Sequence, residues 1–119
     1  MKKLLLLFAL LASPAFGQDR SQMLGTVNSS AVIAAGNTFQ TVSAAVTAAT
    51  RRNSLTIQNN NAADNCWIVI AGALGSATKA TAILLLPGGS YTRYYPYVPS
   101  DAIHATCAST SDTLYVDTQ

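Results

Sequence analysis

The chain contains no glutamate, one histidine and two cysteines, and only 10% of its 119 residues are charged. Each scarcity removes a class of function. A paired-carboxylate mechanism would have to draw on five scattered aspartates. No serine sits in a G-x-S-x-G elbow, and Gly88-Gly89-Ser90 lacks the spacing of a phosphate-binding loop. Metal binding by the two cysteines, with Asp64 or His104 as extra ligands, is the rival reading, but with no C-x-x-C spacing and a single histidine a zinc site is not expected. His104 stands alone: Asp101, three positions earlier, is too far along a strand to orient its ring, so the histidine reads as solvent-facing. The sequence predicts no enzyme, no catalytic residue, no cofactor and no metal.

Long apolar runs are equally scarce. The one near the start, Leu4 to Ala12, follows Lys2 and Lys3 and is ended by Pro14. Ala15-Phe16-Gly17 then places small residues three and one positions before a cut ahead of Gln18, the pattern of a secretory signal peptide. The run is far short of the ~20 residues of a membrane span, and nothing later approaches that length. The expected organisation is a signal peptide over 1–17, a flexible lead-in over 18–25 and one β-sandwich domain over 26–119. The location expected is periplasmic or extracellular, or the surface of a virion.

The formal charge of +2 belongs to Lys2 and Lys3. Beyond them Arg20, Arg51, Arg52, Lys79 and Arg93 balance the five aspartates. Nucleic-acid binding draws its affinity from phosphate neutralisation by a basic patch. Here only Arg51-Arg52 is locally basic, and it reads as a turn, so no nucleic-acid partner is expected. A near-neutral surface of Ser, Thr, Asn, Gln and Ala resists association poorly, which suits a protein that is normally assembled, as a homo-oligomer or coat component.

What is present is a series of short apolar segments separated by turn residues. Val27–Ala35 reads as a strand closed by Gly36-Asn37. Over Thr38–Ala48 the set Gln40, Val42, Ala44, Val46, Ala48 is mostly apolar, which favours a half-buried strand over a helix at 42–50. Ser54–Asn59 alternates, with Leu55 and Ile57 inward and Thr56 and Gln58 outward. Cys66–Ala71 is almost wholly apolar, as for a central strand covered on both faces. Ala82–Leu86 ends at Pro87-Gly88-Gly89. Ser90–Tyr97, Ala102–Ala108 and Thr113–Val116 complete about eight strands with turn signals between them. That spacing predicts an all-β fold, a single small antiparallel β-sandwich of jelly-roll or Ig-like type.

Two residue groups stand out. Cys66 and Cys107 are an even pair in an exported domain and predict one disulfide. Cys66, Ile68 and Ile70 share one strand face, and Ile103, Ala105 and Cys107 another. Antiparallel pairing would set Cys66 against Cys107, Ile68 against Ala105 and Ile70 against Ile103, so the two segments should be adjacent or face each other across the core. The second group is Tyr91, Arg93, Tyr94, Tyr95 and Tyr97. On an extended chain kept straight by Pro96 and Pro99, Tyr94 lies opposite the other four. Tyrosine and arginine are enriched at contact hot spots, so these five residues form the candidate interface, for a neighbouring subunit or a glycan. The alternative is that half of the rings close the core.

Arg52-Asn53-Ser54-Leu55-Thr56-Ile57-Gln58-Asn59-Asn60, Pro87-Gly88-Gly89-Ser90-Tyr91, Pro99-Ser100-Asp101-Ala102-Ile103-His104-Ala105 and Thr113-Leu114-Tyr115-Val116 together resemble a pattern of small structural proteins of tailed phages, over about residues 40–117. The resemblance implies a compact sandwich on the virion surface, related in role to capsid decoration or head-fibre proteins and packed in a capsid or tail lattice. With an export signal and a disulfide, it extends to an envelope-associated relative. The functional expectation is a non-catalytic virion surface or decoration module. The alternative is a periplasmic or secreted binding or adhesion protein, with a cell-surface glycan among its candidate ligands.

Overall fold

A computed structural model describes residues 27–119. Eight strands run through them: β1 (Val27–Val32), β2 (Gln40–Ser43), β3 (Ser54–Asn59), β4 (Cys66–Ile70), β5 (Ile83–Leu85), β6 (Ser90–Tyr94), β7 (Ile103–Cys107) and β8 (Thr113–Thr118). The signal-peptide and lead-in assignments, residues 1–25, lie outside the described residues. No helix among the described residues is long and apolar enough to cross a membrane.

The strands form two four-stranded antiparallel sheets, ordered β1-β8-β3-β6 and β2-β7-β4-β5. The ladders β1·β8, β2·β7, β3·β6 and β4·β5 are those of one long hairpin folded over so that successive pairs alternate between sheets. The β3·β8 and β4·β7 ladders join the pairs within each sheet. This is the jelly-roll order, and it decides between the two sandwich types expected from the sequence.

The core follows from period-two alternation. Leu55 and Ile57 of β3 and Leu114 and Val116 of β8 face Cys66 and Ile68 of β4 and Ile103, Ala105 and Cys107 of β7, all buried. Each wholly buried Leu or Ile contributes about 1.5–3 kcal/mol. The expected register is also present: Cys66 pairs with Cys107, Ile68 with Ala105 and Ile70 with Ile103. The two segments are therefore neighbours within one sheet rather than partners across the core, and the cysteines are joined as a disulfide. Such a bond fits an oxidising compartment.

Every residue of β7 is buried, because the outer face of its sheet is also covered. The β4–β5 connection, with single 3-10 turns at Leu74–Ser76 and Lys79–Thr81, lies over that face. Lys79 Nζ sits 3.8 Å above the centre of the Trp67 ring and donates to Asn37 Oδ1 at 2.5 Å. This overturns the solvent-facing reading of His104, which is 2% exposed. Its Nδ1 lies 3.0 Å from Thr41 Oγ1 and its Nε2 3.1 Å from Ala71 O. The histidine points away from the core, as its register requires, but into a covered surface.

Two strands stop earlier than their alternation suggests. β1 ends at Val32, where the Gln40 side chain accepts from Ala34 N and donates to Val32 O. A Cβ on Gly36 would meet Ala108 O at 2.8 Å, so the turn that follows requires glycine there. β2 breaks register between Thr41 and Ser43. At its end the Ser43 hydroxyl and the Ala44 carbonyl accept from the side chain of Arg52, which lies outside the sheet.

Candidate functional site

The four connections 33–39, 60–65, 86–89 and 108–112 lie at the end of the sandwich that holds the disulfide. The longer connections 44–53 and 95–102 lie at the opposite end. Asn59 and Asn61 lock the first. Buried Asn59 donates to Asp64 O (2.8 Å) and Leu85 O (3.0 Å), and its Oδ1 accepts from Asn61 N and Nδ2. Asn61 Nδ2 also approaches Cys66 Sγ at 3.4 Å and Thr113 O at 3.3 Å, while its Oδ1 accepts from Thr113 N. Every hydrogen-bonding site of Asn59 is used, which removes the cost of burying an amide.

The opposite end carries the tyrosines. Tyr91 and Arg93 pair with Ile57 and Leu55 and so share the inner face of β6. Tyr91 packs against the core, and Arg93 stands over its ring at 4.7 Å. Tyr94 lies on the outer face, as expected. The expected extended chain ends there. Tyr97 N donates to Tyr94 O at 2.9 Å, and the Tyr95–Pro96 bond is cis, as in a type VI turn. Tyr95 and Tyr97 therefore do not continue the Tyr91–Arg93 row. Tyr94, Tyr95 and Tyr97 form a separate exposed group, at 68%, 63% and 81%.

Beside this turn is a cleft of about 330 Å³ between segments 44–52 and 95–101, lined by Val46, Thr47, Arg51, Tyr95, Pro96 and Ser100 among others. Its walls are tied by Val46 N donating to Ser100 O at 2.8 Å and, more extensively, by Arg52. That residue, expected only as part of a turn, is 5% exposed. Its Nη1 donates to Pro99 O (2.7 Å) and Asp101 O (3.1 Å), and its Nη2 to Ser43 Oγ (2.9 Å) and Ala44 O. All four acceptors are neutral. Burial lowers the guanidinium pKa from its ordinary value, since desolvation disfavours the charged form. Arg51, its neighbour, is exposed and makes no described hydrogen bond or ion pair.

Among the described residues no group of three or more His, Cys, Asp or Glu side chains could hold a metal ion. The tyrosines and the disulfide were legible as candidates in the sequence, whereas the bonding roles of Arg52, Asn59 and Asn61 were not. Comparison of the chain with protein-family models, curated proteins and solved structures finds no match.

Proposed function

We propose that this chain is a non-catalytic structural module that works outside the cytoplasm in a surface assembly, as a phage-type virion surface or decoration protein or its envelope-associated relative. The observation that carries the reading is the exposed Tyr94, Tyr95, Tyr97 turn on a cross-linked sandwich. Exposed aromatic clusters on rigid supports are the usual material of contact hot spots. Ile83, Leu84 and Leu86, also exposed, belong to the edge strand β5 and its connection to β6, hence to the same open side of the sandwich. His104, the side chain best suited to acid–base work, has both ring nitrogens bonded within the fold.

Jelly rolls occur among both capsid and lectin domains, so the fold alone favours neither role. The test is sedimentation of the exported, oxidised protein together with the Tyr95→Ala, Tyr97→Ala double variant. A symmetric multimer or co-sedimentation with virions, lost in the variant, supports the reading. A monomer at every concentration, with the variant indistinguishable from it, defeats it. The second reading, a periplasmic or secreted binding protein, is favoured by the cleft beside Tyr95, whose size falls at the low end of small-molecule sites, roughly 300–1,000 Å³.

A further inference from the structure

We infer that the cleft between segments 44–52 and 95–101 binds an anionic saccharide, a pyranose bearing a carboxylate or sulfate. The inference rests on the binding-protein reading and names its ligand chemistry. Three features converge. First, the cleft has two adjacent arginines and, among the described residues, no acidic partner for either: Arg51 is exposed and makes no bond to them, and Arg52 bonds only main-chain carbonyls and a hydroxyl. A buried cation without a counter-charge is electrostatically unbalanced, and an anion entering here supplies what the chain leaves out. Second, four of the five N–H groups of Arg52 are held by both walls, so the charge is fixed in place before any ligand arrives. Such preorganisation lowers the entropy lost on binding.

Third, the rest of the lining suits a sugar better than a peptide terminus or a free ion. Tyr95 and Pro96 offer apolar surface, and Ser100 and Thr47, the latter hydrogen-bonded to Thr50 Oγ1 at 3.1 Å, offer hydroxyl oxygens. A pyranose likewise presents C–H faces and a ring of hydroxyls. Tyr95 is 63% exposed, which leaves ring surface for a sugar to stack on. The expected pose places the ring on Tyr95 and the acid group at Arg51, whose planar fork matches carboxylate and sulfate geometry.

Calorimetric titration of the full exported protein tests this. The probes are trigalacturonate and a sulfated galactose trisaccharide, against methyl-esterified trigalacturonate, which keeps the rings and loses the charge, and against tetra-alanine with a free carboxylate. At least one acidic saccharide should bind about tenfold more tightly than the methyl ester, and added salt should weaken it. Arg51→Ala should abolish that preference while leaving sedimentation unchanged. Tyr95→Ala should weaken acidic and neutral sugars alike. Which acid is preferred identifies the group Arg51 holds. Equal binding of the acid and its methyl ester overturns the inference and leaves the binding-protein reading standing. Tetra-alanine binding as well as the sugars makes this a general carboxylate site and overturns it also. Binding of none of the probes at millimolar concentration defeats the inference.

Discussion

The two ends of this sandwich use polar side chains in opposite ways. At the disulfide end, Asn59 and Asn61 enter the interior and their amides are taken up by carbonyls, by each other and by the cystine sulfurs. Little is left over to recognise anything else. At the opposite end Arg52 joins two loops through neutral acceptors and keeps its charge uncompensated by them, Arg51 is exposed with no bond among the described residues, and three tyrosines stand outside. Satisfied groups hold a fold together, whereas unsatisfied charge and exposed aromatic area are what a partner can use. Under the proposed function, the contrast separates a structural end from a contact end.

The contrast breaks first if the structural end can be cut without effect. Replacing Cys66 and Cys107 together by alanine reopens a loop with sequence separation 41 and should lower the unfolding free energy by about 4 kcal/mol on the chain-entropy model. Denaturant titration measures this, and a loss near zero would mean that the asparagines alone hold that end. Asn59→Leu comes next, at about 3 kcal/mol, because it strands the carbonyls of Asp64 and Leu85 and the amide of Asn61. Arg52→Lys should cost about 2 kcal/mol: an ammonium has three donors at one point and cannot serve four acceptors on two loops. Hydrogen exchange should then quicken at Val46, whose N–H bridges the loops. Equal protection in the variant would show that Arg52 does not tie the walls.

The disulfide end was the more legible of the two in sequence. Alternation in Ser54–Asn59 marks the inward face there, and setting Cys66 opposite Cys107 on antiparallel strands yields the observed register of β4 and β7. Turn residues marked the strand ends to within a few positions. The contact end was harder to read because its geometry is set by distant partners. Nothing in Arg51-Arg52-Asn53 reveals that Ser43, Ala44, Pro99 and Asp101 converge on one guanidinium. His104 was misread for a related reason: alternation states which face a residue takes, but not that a later segment folds over that face. The tyrosine row failed at Pro96, where a turn closed by Tyr97 N and Tyr94 O ends the period of two.

The smallest effect on stability should come from Tyr97→Ala, and it sharpens the contrast most. The ring is 81% exposed, and the hydrogen bond Tyr97 makes to Tyr94 uses its main-chain N–H, which alanine keeps. Unfolding free energy should change by less than about 0.5 kcal/mol. The same substitution at Tyr91, packed on the core, should cost about 1–2 kcal/mol more. If the outer tyrosines serve contact, Tyr97→Ala should weaken multimer formation or virion association at unchanged stability. Tyr91→Ala should affect assembly only in proportion to its loss of folded protein. Sedimentation at matched folded concentrations separates the two cases, because stability then no longer differs between the samples. Identical assembly by Tyr97→Ala and the parent would remove that ring from the contact surface and leave Tyr94, Tyr95 and the exposed β5 side chains to carry it.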